Sequence, residues 1–286
     1  MDKPKKPNSV PGHAGRANAW FLLIFGFWLL KGSAEDLLGF LMRSDLYRRL
    51  KEKDSFNYVK PLDPSFSLAT EYSFLVISDT HIENGNAYGL EGIKAVIDDP
   101  ANGIKFAVFL GDITQTGQRG DLQKFIYIAD SFGIPCFPVI GNHDVFHRNW
   151  PVWKELIGST YYRIDSGETT LFILDSANGF FGNEQLDWLE GEIKTAGKRC
   201  FVFTHAYFYA RTTTGIRRLT DIRERERFKS ILKDRCDFIF TGHMHRETLR
   251  ETGGVQHLTV EDFWRKKTYV RVSVTNLGIS INSGKI

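Results

Sequence analysis

Phe106-Ala107-Val108-Phe109-Leu110 runs without a polar break into Gly111-Asp112. A short continuous apolar run of this kind reads as a strand covered on both faces, and the glycine allows a sharp turn as the carboxylate arrives. The same pattern recurs four times. Residues 74–78 lead into Asp79-Thr80-His81, and residues 138–140 into Gly141-Asn142-His143-Asp144. Residues 201–203 lead into Thr204-His205, and residues 238–240 into Gly242-His243-Met244-His245.

Residues 90–97 and 121–132, between the first three runs, have helical character. Strand, helix, strand at this spacing implies parallel pairing, which places the strands' C-terminal ends along one sheet edge, where ligands of open α/β sheets collect. The five motifs are therefore expected to meet in space. Their residue types suit a metal pair. Carboxylate oxygen and imidazole nitrogen bind Zn, Mn and Fe, and an aspartate can bridge two ions. Asp79 with His81, and His243 with His245, stand two apart where a strand gives way to loop, so each pair can turn toward one ion. A single histidine in such a place is more often a hydrogen-bonded core residue. Five of the eight histidines (His81, His143, His205, His243, His245) at strand ends are not explained that way.

These motifs resemble the signature of the calcineurin-like metallophosphoesterase superfamily: DxH, GD, GNH(D/E), H and GHxH. The likeness runs over residues 72–283, about three quarters of the chain, with every element present. It implies an α/β, four-layer fold: a central β-sandwich flanked by helices. It also implies two divalent metal ions (Mn, Fe or Zn), one held by Asp79, His81, Asp112 and His245, the other by Asp112, Asn142, His205 and His243. Asp112 would bridge them, His143 would face the phosphate without binding metal, and Asp144 would orient His143. Residues 111–117 are similar to the family's GDLxxxG stretch. The reaction implied is hydrolysis of a phosphodiester, pyrophosphate or phosphomonoester. Its nucleophile would be a hydroxide from a water whose pKa a metal lowers from about 15.7 to about 7. His143 would serve the leaving group as acid.

The remaining composition bounds the alternatives. The 286 residues are 42% apolar and 25% charged, ordinary for a globular enzyme, and the motifs span too much chain for two catalytic units. A net charge of +3 does not advertise the basic groove a metal-dependent nuclease would use, so nucleic acid is not the expected partner. A binding scaffold on the same fold need not keep every ligand, and here every one is present. Arg217, Arg218, Arg223, Arg225 and Arg227 alternate with acids and read as a solvated helix face. Cys136, Cys200 and Cys236 form no CxxC pair, so no disulfide framework is expected.

The expected organisation is a disordered basic tail over 1–18, an apolar and amphipathic segment with linker over 19–69, and the catalytic domain over 70–286. The apolar run 20–30 would reach only about 16 Å as a helix, against a hydrocarbon core of about 30 Å. A membrane-surface anchor is the expectation. It would be continued by Leu37, Leu38, Leu41 and Leu46 on one face, with Arg43, Arg48 and Arg49 toward anionic lipid, giving access to a lipid-linked substrate. A secretory signal, or a helical hairpin packed on the catalytic domain of a cytoplasmic protein, are the alternatives.

Residues 161–164 and 169–175 read as a hairpin, and residues 183–196 as an amphipathic helix with Asn183 as N-cap. The alternating tail after His245 is expected to complete the second sheet. Tyr207, Phe208 and Tyr209 either line a substrate pocket or pack a loop, and His147 is either a substrate contact or a surface histidine. His257 suggests no function.

Overall fold

The structure is a computed structural model and describes residues 46–51, 66–209 and 221–286. Eleven strands form two sheets among the described residues. In the first, β1 (Tyr72–Ile77), β2 (Ile104–Leu110) and β3 (Cys136–Val139) run parallel, as their intervening helices require. In the second, β4 (Tyr162–Ser166) and β5 (Thr169–Ile173) form the expected hairpin. Beyond them β6 (Arg199–Phe203), β7 (Phe238–Thr241) and β9 (Val255–Thr259) continue parallel to β5, with β8 (Thr248–Thr252) antiparallel at the edge.

Side chains alternate across the strands, and both faces of the central ones are covered. Phe74 and Val76 of β1 point between the sheets, where Phe74 stacks on Phe106 at 4.6 Å and meets Phe201 edge-on at 5.2 Å. Leu75 and Ile77 point the other way, beneath helices α1 (Ile93–Asp98), α2 (Arg119–Ser131) and α3 (Trp150–Leu156). In α2 the buried positions Leu122, Phe125, Ile128 and Ala129 make one stripe, which is why that segment folds as a helix against the sheet. Phe172, Val202 and Ile239 on the outer face of the second sheet lie under α4 (Asn183–Glu192) and α5 (Ile222–Leu232). Helix, sheet, sheet, helix is the four-layer order, and it explains why the strands read as unbroken apolar runs.

Four details depart from the sequence reading. The tail divides between the sheets: β8 and β9 finish the second, but β10 (Thr268–Thr275) pairs antiparallel with β1 and β11 (Gly278–Lys285) with β10. β1 had a free edge opposite β2, and Val270, Val272 and Val274 supply the inward apolar face it needed. Asn183 is the first residue of α4 and not its cap. The Glu224 carboxylate covers that end instead, accepting from the amides of Phe181 (2.8 Å) and Gly182 (3.3 Å). Cys200 of β6 and Cys236, two residues before β7, are paired as a disulfide, their Cα atoms 4.6 Å apart though the sequence separates them by 36 positions.

The fourth concerns the lipid face. In the helical turn 46–51, Leu46 and Leu50 are buried against Tyr161 and Phe180, and Arg49 is 2% exposed in an ion pair with Asp175. These three side chains serve the protein interior and are not available to a membrane. The basic tail, the apolar run 20–30, Leu37, Leu38, Leu41, Arg43, Arg217 and Arg218 lie outside the described residues. Among the described residues no helix is long and apolar enough to cross a membrane. On α5, Arg227 bonds Asp187 and Glu190 at 2.7 and 2.6 Å, the ion-paired surface its charge alternation suggested.

Candidate metal centre

Asp79 and His81 follow β1, Asp112 follows β2, Asn142 and His143 follow β3, His205 follows β6, and His243 and His245 follow β7. All stand at C-terminal strand ends, and the structure brings them together. Asp79, His81, Asp112, His243 and His245 each adopt the left-handed backbone, with φ between 46° and 66°. That conformation costs a non-glycine residue on the order of 1–3 kcal/mol and persists where surrounding structure holds it, typically at functional sites. Here it swings each side chain off the strand toward a common centre. Gly141 permits a close approach of two turns: a Cβ there would lie 2.1 Å from the Asp112 amide nitrogen.

Three overlapping groups of donor atoms result, each mutually within 4.8 Å: Asp79, His81 and His245; His81, Asp112 and His143; Asp112, His205 and His243. The His205 Nε2 atom lies 3.2 Å from Asp112 Oδ2, and 3.1 Å from both Asn142 Oδ1 and His243 Nδ1. The His245 Nε2 atom lies 3.0 Å from Asp79 Oδ1. The far nitrogens are anchored. His205 Nδ1 donates to the Leu110 carbonyl at 2.7 Å, and His81 Nδ1 meets Gln115 Oε1 at 2.7 Å. Anchoring Nδ1 turns the Nε2 lone pair inward, the usual outer-shell arrangement for a metal-binding histidine.

Electrostatics point the same way. Burial resists ionisation of Asp112, but the positive character of His205, His143 and His243 outweighs it and holds the carboxyl well below the usual range. Asp79 is likewise depressed against its burial by the hydrogen bond from His245. Burial also opposes protonation of His205, yet Asp112 pulls it up to about 9. His81 is lowered by burial, and its Nε2 is buried with no hydrogen-bond partner. A neutral imidazole nitrogen without a partner, beside two ionised carboxylates, is what a cation would satisfy. The oxygen and nitrogen donor set fits two divalent ions of the Mn, Fe or Zn type.

Two expected site residues behave differently from the rest. His143 stands at the rim, its side chain 24% exposed and its Nε2 4.0 Å from Asp112 Oδ2. Its Nδ1 donates to the Gln115 carbonyl at 2.8 Å. Asp144 does not orient it. The Asp144 carboxylate is fully buried and accepts from Ile113 N, Thr114 N, Thr114 Oγ1 and Gly141 N at 2.9–3.2 Å. Adjacent residues on a helical turn point apart, so Asp144 faces the Asp112 turn while His143 faces out. Burial together with the nearby Asp112 charge pushes Asp144 up to about 6.

Sequence reasoning passed over three contributors. Gln115 holds His81 with its side chain and His143 with its backbone, and it lies inside the quoted 111–117 run. Ser176 accepts from Ala206 N and Thr204 Oγ1, on either side of His205. Arg265, on the short helix α6 (Phe263–Lys266), donates to His245 Nδ1 at 2.7 Å and is held by Asp262. Nothing in an alternating tail announced the last. Tyr207 and Phe208 are buried and pack with Tyr209 around the His257 ring, so these aromatics are core and not a pocket wall. His147 is an exposed neighbour of Phe146.

Residues 72–247 match the family model described as calcineurin-like phosphoesterase. A protein of Fibrobacter succinogenes described as a probable cyclic nucleotide phosphodiesterase is 34% identical over 104 residues, 34% of this chain and 40% of that one. Solved structures share the fold at low identity. A dimetal phosphatase from Danio rerio superposes with TM-score 0.61 at 13% identity, over 74% of this chain and 95% of that one. Purple acid phosphatase from yellow lupin (Lupinus luteus) seeds gives 0.60 at 13%, over 77% and 52%. The Plasmodium protein GAP50, titled the anchor in the inner membrane complex, gives 0.56 at 13%, over 76% and 85%. The chain belongs to the calcineurin-like phosphoesterase family.

Proposed function

We propose that this enzyme hydrolyses small phosphodiesters, cyclic nucleotides foremost, at a two-metal centre. One ion would be held by Asp79, His81, Asp112 and His245, the other by Asp112, Asn142, His205 and His243. The observation that carries the reading is the Asp112 carboxylate, whose donor atom belongs to two of the three converging groups. The bound ions would supply Lewis acidity, making water nucleophilic at neutral pH and neutralising charge on the phosphoryl oxygens.

The chain's own residues do the rest. Gln115 and Leu110 fix the tautomers of His81 and His205, so both imidazoles offer Nε2 inward. The Gln115 carbonyl commits His143 Nδ1–H, so a proton given to the leaving oxygen comes from Nε2. Asp144 keeps the Asp112 turn against Gly141 and holds the spacing between carboxylate and His143. The diester preference is supported by the Fibrobacter relative's description, over the aligned part alone. Membrane attachment remains a proposal resting on the apolar run 20–30, because Leu46, Leu50 and Arg49 face protein.

The test is a hydrolysis panel on the Mn-loaded chain. It would cover bis-p-nitrophenyl phosphate, p-nitrophenyl phosphate, and 2′,3′- and 3′,5′-cyclic nucleotides, with His143→Ala and Asp112→Ala alongside. Diesters should turn over fastest. His143→Ala should keep its metal and lose most turnover, and Asp112→Ala should lose both. No hydrolysis of any substrate by metal-loaded protein, or equal metal and activity in both variants, rejects the reading.

A further inference from the structure

Arg49 precedes the matched family region by more than twenty positions, yet its guanidinium is built into the domain. Its Nε donates to Asp175 Oδ2 at 2.8 Å and its Nη2 to Asp175 Oδ1 at 3.1 Å. Nη2 also donates to Asn178 Oδ1 at 2.5 Å. Leu46 and Leu50, one turn apart on the same face, seat the segment against Tyr161 and Phe180. Asp175 and Asn178 bracket Ser176. The Ser176 hydroxyl accepts from Ala206 N at 2.8 Å and from Thr204 Oγ1 at 2.7 Å, the two neighbours of His205. Three consecutive links thus run from Arg49 to the backbone that carries a candidate metal ligand.

Each link is one the interior cannot easily replace. The Asp175 carboxylate is fully buried, and apart from Arg49 it accepts only the Ala177 amide among the described residues. An unpaired carboxylate there would be driven to reorganise toward water. Gln185 grips the Asp175 backbone on both sides, so the free movement would fall on Ser176 and the residues after it. His205 is positioned otherwise by its Nδ1 bond to Leu110, by the Thr204 amide on the Phe240 carbonyl and by its own carbonyl, which accepts from Gly242 N at 3.1 Å; the amide that follows, Ala206 N, is held by Ser176.

We infer that Arg49 is a positioning residue for His205, acting through Asp175 and Ser176. The segment ahead of the family region is then part of the metal centre's support. This inference rests on the reading of His205 as a metal ligand. Outer-shell changes of this kind typically weaken metal binding by 10–100-fold.

The experiment uses the full 286-residue chain with Arg49→Lys, Ser176→Ala and the double variant. Mn(II) dissociation constants for both ions, kcat and KM on bis-p-nitrophenyl phosphate, and unfolding of the metal-free protein are measured. Each single change should raise one of the two dissociation constants about tenfold or more, and excess Mn(II) should restore kcat, with KM within about twofold. The double variant should be no worse than the more damaging single one, because both lie on one path. Wild-type Mn(II) affinity in Ser176→Ala, which leaves the Arg49–Asp175 pair intact, overturns the inference even if Arg49→Lys fails to fold. So do losses that add in full. A wild-type chain that binds fewer than two ions would instead count against the metal-centre reading itself.

Discussion

His257 gives the fold an acid sensitivity that can be worked out in advance. It is fully buried on β9, its Nε2 2.9 Å from Thr241 Oγ1, with the Phe208 ring at 4.5 Å and the Tyr209 ring at 5.0 Å. Its Nδ1 has no partner, so a second proton would sit in an apolar pocket, and Arg250 stands opposite on β8. Burial first, and the Arg250 charge second, push the group down to about 3. In the unfolded chain it titrates near 6.5. Between those values the unfolded state holds the extra proton, so stability rises with pH and is lost as pH falls. The slope is about 1.4 kcal/mol per pH unit, or about 2 kcal/mol by pH 5. His257→Gln can keep the Thr241 hydrogen bond and does not titrate, but it gives up ring packing worth about 1–2 kcal/mol. Urea unfolding of the metal-free protein from pH 4 to 8 should therefore give two curves that cross near pH 5, with the variant weaker above and stronger below. Parallel curves over that range would show that His257 does not carry the penalty.

Gln115→Leu should weaken binding of one ion by about 10–100-fold, because His81 loses the acceptor that fixes its tautomer, while the backbone bond to His143 is untouched; metal titration measures it. Asp144→Asn should cost about 2–4 kcal/mol in urea unfolding, since an amide offers one acceptor oxygen where the carboxylate serves four donors. The metal-loaded Asp144→Asn protein should keep kcat within about threefold; a large fall in kcat in the folded, metal-loaded variant would mean that Asp144 acts on His143 directly. Gly141→Ala should lose metal and activity together, because its methyl would overlap the Asp112 backbone, and normal metal content would contradict that packing.

The convergence of the candidate ligands was legible because each closes a strand, and a strand buried on both faces advertises itself as an apolar run. What surrounds the ligands was not. Whether Arg49 faces lipid or Asp175 depends on a partner 126 positions away, and helical periodicity is the same in either case. The Cys200–Cys236 pairing and the assignment of β10 to the first sheet are likewise long-range matters that local pattern does not encode. Asp144 was misplaced for a local reason. The motif makes it the neighbour of His143 in sequence, while the 3₁₀ turn over His143–Arg148 directs the two side chains apart. Gln115 was within reach, as a polar side chain three residues after Asp112; Arg265 was not.

Anomalous scattering from crystals of the Mn-loaded protein would locate the ions directly. The account predicts two peaks, one on each side of the Asp112 carboxylate, with His81 and His245 on one and His205 and His243 on the other. A single peak, or two peaks neither of which touches Asp112, would contradict it.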